Sequence, residues 1–262
     1  MEISLVLTPP DLLIHAGDLT NAGTPAELQK QIDWLNSLPH KHKVVVAGNH
    51  DTYLDPRSRL TLSTLDLTQG QPDWKDLHYL QHSSVTLSFP SHKGRKLKIY
   101  GAPQIPACGG PEHAFQYTRG KDAWSETIPG DTDVLVTHTP PKYHRDLPVA
   151  LGCEHLLREV WRIQPKLHVF GHVHAGAGKE PVHWDEAQEA LEKGCARSDG
   201  IVRNILDLKL WFYTFQVGWY GGLGLLWDRV WGGEEQVTWM VNAALMFNNT
   251  GKLGNEPQVV DI

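Results

Sequence analysis

The sequence predicts an α/β protein, and three observations carry that prediction. Short apolar or β-branched runs recur at 11–16, 43–47, 133–137 and 167–170, each of strand length. Such runs read as strands buried on both faces of a largely parallel sheet. An amphipathic helix signature separates the first two, giving a β-α-β unit. Each run also stops at a polar residue able to bind metal, and ligands of open α/β sheets bind at the carboxyl ends of the strands.

The first strand, 11–16, follows Pro9-Pro10 and stops at Gly17-Asp18-Leu19-Thr20. Thr24-Pro25-Ala26-Glu27 then supplies an N-cap, a proline at the first helical position and the glutamate of a capping box. Leu28, Ile32 and Leu35 continue at helical spacing until Pro39. The second strand, 43–47, ends at Gly48-Asn49-His50-Asp51, and 52–71 is loop with one short helix. Residues 79–89 and 97–100 read as strands joined by the basic turn Ser91-His92-Lys93-Gly94. The stretch 101–130 is a long loop, and a loop of that length marks a wall of a functional site. A third strand, 133–137, ends at His138-Thr139-Pro140-Pro141, and a helix over 154–163 leads into the run 167–170. That run closes on Gly171-His172-Val173-His174, where the glycine allows a bend that aims both imidazoles at one volume. A helix over 185–193 and closing strands over 237–245 and 258–262 complete the chain.

With 262 residues, 40% hydrophobic and 21% charged, the chain is long enough for one domain spanning 1–262, carrying an aromatic-rich insertion at about 205–232. Within it, 210–227 opens on Leu210, closes on Trp227 and has no charged residue. Its composition leaves three readings open: a helix or ribbon packed on the domain, an interfacial membrane patch, and a membrane span. A net charge of -6 with mixed signs offers no basic face, which excludes a nucleic-acid partner. Cys108, Cys153 and Cys195 are odd in number and far apart, and read as reduced, mostly buried thiols. The N-terminus has no basic segment ahead of a long apolar run, so an intracellular, cytoplasmic protein is expected, peripheral on a membrane if the aromatic run touches one. The oligomeric state leaves no mark in the sequence.

The strand ends together offer Asp18, Asn49 with His50 and Asp51, His138, and His172 with His174. Carboxylate, amide oxygen and imidazole without thiolate suit manganese, iron or zinc. Two such ions about 3.5 to 4 Å apart share one carboxylate and activate a hydroxide for phosphoryl transfer, with an imidazolium protonating the departing oxygen. Asp51 either orients the His50 ring or caps the following turn. His15 reads as a hydrogen-bonded core histidine, and His113, His144, His155 and His183 as surface residues.

In this order, Gly17-Asp18, Gly48-Asn49-His50-Asp51, Thr137-His138 and Gly171-His172-Val173-His174 resemble the calcineurin-like metallophosphoesterases. The segments Ala114-Phe115-Gln116-Tyr117, His138-Thr139-Pro140-Pro141 and 168–174 are similar to the branch described as metallophosphoesterase domain-containing proteins. The resemblance implies a sandwich of two mixed β-sheets flanked by helices, and two divalent ions. Asp18 would bridge them, Asn49, His138 and His172 would complete the second, His174 would bind the first, and His50 would be the catalytic acid or phosphate contact. The implied chemistry is hydrolysis of phosphomonoesters or phosphodiesters, cyclic nucleotides being one substrate class. The family's first strand carries an Asp-x-His motif that serves the first ion; none of the seventeen residues before Asp18 forms one, and only residues 1–7 stand where a replacement strand would be. The expectation is therefore a phosphodiesterase-like hydrolase of small phosphoesters or nucleotides with only one ion position fully held. Its alternative is a weakened homologue that binds phosphate ligands or a membrane surface.

Overall fold

The computed structural model describes residues 11–147, 151–198, 201–231, 237–248 and 250–262. The replacement strand considered for 1–7 lies outside them. The described residues form two compact units, one reaching Lys179 and including Met240–Ile262, the other Glu180–Trp239. The insertion expected at about 205–232 falls inside the second.

In the first unit, β1 (Leu12–Ala16), α1 (Pro25–Ser37) and β2 (His42–Val46) form the expected β-α-β unit. β1 pairs parallel with β2, Ile14 opposite Val44 and Ala16 opposite Val46, so both strands deliver their ends to the same edge. Thr24 Oγ1 caps α1 by accepting from the Glu27 N–H at 3.3 Å. The Glu27 carboxylate does not close a capping box on Thr24; it accepts from the N–H groups of Asn21 at 2.9 Å and Ala22 at 2.8 Å, pinning the loop that carries Asp18 toward α1. Leu28, Ile32 and Leu35 are buried with Leu19, Val45, Tyr53 and Leu77. Each such side chain contributes roughly 1.5 to 3 kcal/mol by leaving water.

After a short helix α2 (Thr64–Leu67), the single strand expected over 79–89 is in fact two. β3 (His78–Tyr79) adds to β2 in the first sheet, whereas β4 (Ser83–Phe89) pairs antiparallel with β5 (Arg95–Ala102) in the second. The chain changes sheets between them, at Leu80, whose N–H is held by the Val45 carbonyl at 2.8 Å, and at His82, whose φ is 50°. The sheets meet at Gly101, where a Cβ would lie 2.4 Å from Leu80 Cβ and 2.8 Å from Val46 Cγ1. The loop after β5 contains a parallel ladder, β6 (Ile105–Pro106) with β7 (Gln116–Tyr117). β8 (Val134–Thr137), α3 (Glu154–Ile163) and β9 (Leu167–Phe170) then extend the second sheet in parallel beside β5. The fold is thus α/β with more than one sheet flanked by helices; the first sheet is parallel throughout its described strands, not mixed.

In the second unit, β10 (Gly178–His183) is followed by α4 (Glu186–Arg197), α5 (Ile201–Leu206), α6 (Leu208–Trp231) and β11 (Val237–Asn242), of which Met240–Asn242 returns to the first unit beside β9. The aromatic run is helix, not ribbon. α6 packs on α4, with Leu210 and Tyr213 against Gly194, and turns Trp211, Phe212, Phe215, Trp219, Leu223 and Leu226 to solvent. Among the described residues no helix is long and apolar enough to cross a membrane. Residues 258–262, expected as a strand, belong to no ladder among the described residues. Of the cysteines only Cys153 is buried; Cys108 and Cys195 are exposed.

Candidate metal centre

Four loops converge where β1, β2, β8 and β9 end. Gly17 has φ +99°, and a Cβ there would lie 2.5 Å from His138 Nδ1 and 2.7 Å from the Ala47 carbonyl oxygen. A Cβ on Gly48 would lie 2.3 Å from Asp18 Oδ1. Both glycines are therefore required by the close approach of these loops. The left-handed bend expected at Gly171 falls instead on His172, at φ 63°, and Asp18 shares it at φ 55°. Two non-glycine residues in this region cost on the order of 1 to 3 kcal/mol each, strain typical of a functional site.

The structure brings Asp18, His138 and His172 together, their ligand atoms all within 4.8 Å of one another. Asn49 Oδ1 completes the set, 2.9 Å from His138 Nε2 and 2.9 Å from His172 Nδ1. His138 donates Nδ1–H to the Ala16 carbonyl at 2.8 Å, which turns its Nε2 inward, 3.3 Å from Asp18 Oδ2. Burial opposes charging of Asp18, but the adjacent His138 and the His50 N–H hold its carboxyl well below the usual carboxylate range. Burial, followed by the neighbouring His138, lowers His172 from 6.5 to about 3, leaving a neutral imidazole. A carboxylate, an amide oxygen and two imidazole nitrogens facing one small volume fit a divalent cation of the oxygen- and nitrogen-binding kind.

His50 stands at the exposed rim, its N–H donating to Asp18 Oδ1 at 2.9 Å. Asp51 does not reach the His50 ring. Its buried carboxylate accepts from the N–H groups of Gly48 at 2.7 Å, Leu19 at 3.3 Å and Thr20 at 3.1 Å, and from Thr20 Oγ1 at 2.9 Å. It therefore ties the Asp18 loop to the Asn49 loop. Burial and then the Asp18 charge raise it to about 6, against those hydrogen bonds. His174 stays outside the set, its Nδ1 on the Asn248 carbonyl at 2.8 Å. His15 is not the hydrogen-bonded core residue expected, since its buried Nδ1 has no hydrogen-bond partner, and His144 is buried rather than at the surface.

His113 was expected on the surface, yet its Nδ1 accepts from Asn49 Nδ2 at 3.1 Å and its ring lies edge-on to His50, centroids 5.2 Å apart. An amide can flip; an acceptor on its nitrogen keeps the oxygen turned toward His138 and His172. The segment Ala114-Phe115-Gln116-Tyr117 anchors the backbone next to His113. Ala114 N–H donates to the Asn49 carbonyl at 2.8 Å and Phe115 N–H to Asp55 Oδ2 at 2.7 Å.

A family model described as calcineurin-like phosphoesterase matches residues 4–176. The chain belongs to this family. Among curated relatives of this phosphoesterase-family chain, a protein of Emericella nidulans named probable rhamnogalacturonate lyase C is 45% identical over 236 residues, covering 89% of this chain and 21% of that protein. Metallophosphoesterase domain-containing protein 1 of Homo sapiens is 37% identical over 190 residues, 64% of this chain and 55% of its own. UPF0046 protein C25E10.12 of Caenorhabditis elegans is 36% identical over 194 residues, 68% of this chain and 65% of its own. The chain spans less than two thirds of the length of each.

Proposed function

We propose that this chain hydrolyses phosphoester bonds, phosphodiesters above all, using a divalent ion of the manganese, iron or zinc kind held by Asp18, Asn49, His138 and His172. The observation that supports this is the convergence of their four oxygen and nitrogen donors from separate strand ends, without a thiolate. Such an ion supplies Lewis acidity, drawing charge from the phosphoryl oxygens and acidifying water. The chain's own groups do the rest. His50, at the open rim, passes its ring proton to the departing alkoxide, a strong base that leaves poorly without one. Asp51 holds the two loops in register, and His113 keeps the Asn49 oxygen inward. A diester presents one negative charge and a monoester about two. A divalent ion held by the single Asp18 carboxylate keeps one net positive charge, which balances the former and favours small phosphodiesters or nucleotides as substrates.

The position of His174 outside the donor set favours a second reading, in which a single ion position binds phosphate ligands without turnover. Hydrolysis of bis(4-nitrophenyl) phosphate with added manganese decides between the two. The enzyme reading expects metal-dependent turnover that His50→Ala lowers by about 10² to 10⁴-fold, with manganese affinity retained. Manganese binding with no manganese-dependent turnover, or with a residual rate that His50→Ala does not change, would leave the binding reading.

A further inference from the structure

Beside the metal centre the first unit has a cavity of about 540 Å³ between the Gly109-Gly110-Pro111 turn and the segment from Tyr117 to Lys121. Three cations, Arg57, Arg119 and Lys121, line it, on a chain whose net charge is -6. Arg57 is paired with Asp55 at 3.0 Å. Among the described residues Arg119 donates to the Leu151 carbonyl at 3.2 Å, and neither Arg119 nor Lys121 is in an ion pair. The Glu112 carboxylate lies against Gly110 in the same wall, so with Asp55 balancing Arg57 the three cations keep an excess of one positive charge over the two carboxylates.

The cavity is a built feature. Gln116 Oε1 accepts from the N–H groups of Cys108 at 2.7 Å and Gly109 at 3.1 Å, while Nε2 donates to the carbonyls of Gly110 at 2.8 Å and His113 at 3.2 Å. With those amides taken, recognition of an anion falls to the cationic side chains. The Tyr117 hydroxyl is held by Cys153 Sγ at 3.0 Å and Trp124 Nε1 at 2.9 Å, which fixes that wall. Gly109, in the cavity wall, packs against the ring of His113, which in turn hydrogen-bonds the Asn49 amide at 3.1 Å, so one side chain separates the cavity from the metal centre.

We propose that this cavity binds a second anionic group of the substrate, so that preferred substrates carry a phosphate or carboxylate besides the scissile phosphoester. The proposal rests on the phosphoesterase reading. Two substrates that release the same 4-nitrophenol test it: thymidine 5′-(4-nitrophenyl phosphate), with and without a 3′-phosphate. With manganese present, the wild-type chain is expected to show about tenfold lower KM for the 3′-phosphorylated ester, an advantage that added salt erodes. In the double variant Arg119→Gln with Lys121→Ala the ratio of the two KM values falls to about one. Equal KM values in the wild type, or a ratio unmoved by the double variant, would overturn the cavity's role and leave the phosphoesterase reading standing. If neither ester is hydrolysed, that reading falls by itself, and calorimetric titration of inorganic pyrophosphate into chelator-treated protein decides the cavity. Binding weakened about tenfold in the double variant supports it, and equal binding rejects it.

Discussion

The two units put their apolar residues to opposite uses. In the first, valines, leucines and isoleucines of β2, β8 and α1 are buried, and polar side chains gather where the strands stop. In the second, α6 half-buries Leu210 and Tyr213 against α4 and shows Trp211, Phe212, Phe215 and Trp219 to solvent. A five-residue strand covered on both faces has nowhere to put a working side chain except past its end. A 24-residue helix packed on one neighbour leaves a whole face over. The first arrangement gathers polar side chains at one place, and the second leaves an exposed aromatic face.

Three kinds of change sharpen or break that contrast. The largest expected effect is on stability and concerns His168, a fully buried histidine of β9 that hydrogen-bonds Thr137 Oγ1 at 2.9 Å. Burial, with a smaller push from His144, lowers it from 6.5 to about 3. The unfolded chain takes up that proton below 6.5 and the folded chain does not, so its contribution is intact above 6.5 and is lost progressively as pH falls toward 3. Urea midpoints at pH 7.5 and 4.5 should show the wild type losing about 2 kcal/mol more than His168→Gln. Parallel losses would mean that His168 is charged or exposed in the folded protein.

A smaller effect is expected at the Asn49 amide. His113→Ala frees it to flip and should weaken manganese binding by about 10- to 100-fold, the usual cost of losing a group that orients a ligand. His113→Asn puts an acceptor oxygen where Nδ1 stood and should recover most of that loss; equal losses in both variants would reduce His113 to packing. The smallest effect belongs to α6. Phe215→Ser, at a position 65% exposed, should change stability by no more than about 0.5 kcal/mol. Sedimentation with phosphatidylcholine vesicles, with and without this change, tests the membrane-surface reading left open for the run: equal soluble fractions would dismiss it.

Strand ends and helix starts were legible because their signals are local. Buried runs, the Thr24 cap and the glycines named β1, α1, β2, β8 and β9 together with Asp18, Asn49, His138 and His172. The missed features depend on contacts distant in sequence. His113 is 64 residues from Asn49 in a loop without periodicity, and its only sequence signals are the length of that loop and the adjacent Ala114-Phe115-Gln116-Tyr117. The change of sheet at Leu80 is set by Val45 and Gly101, and local β propensity continues straight through it. The bend at His172 rather than Gly171 accompanies a contact of its Nδ1 with the Asn49 oxygen, 123 residues away in sequence. Asp51, adjacent to His50 in sequence, is directed by its burial toward the backbone of Thr20 and Gly48.

The central claim is that the four strand-end donors form one divalent-ion site, and manganese titration followed by electron paramagnetic resonance tests it most directly. The wild-type chain should bind manganese with His172→Ala weakening it by at least about 100-fold, while His168→Gln, four residues earlier in the same stretch, leaves binding as it was. Manganese binding that survives His172→Ala unchanged would contradict the account.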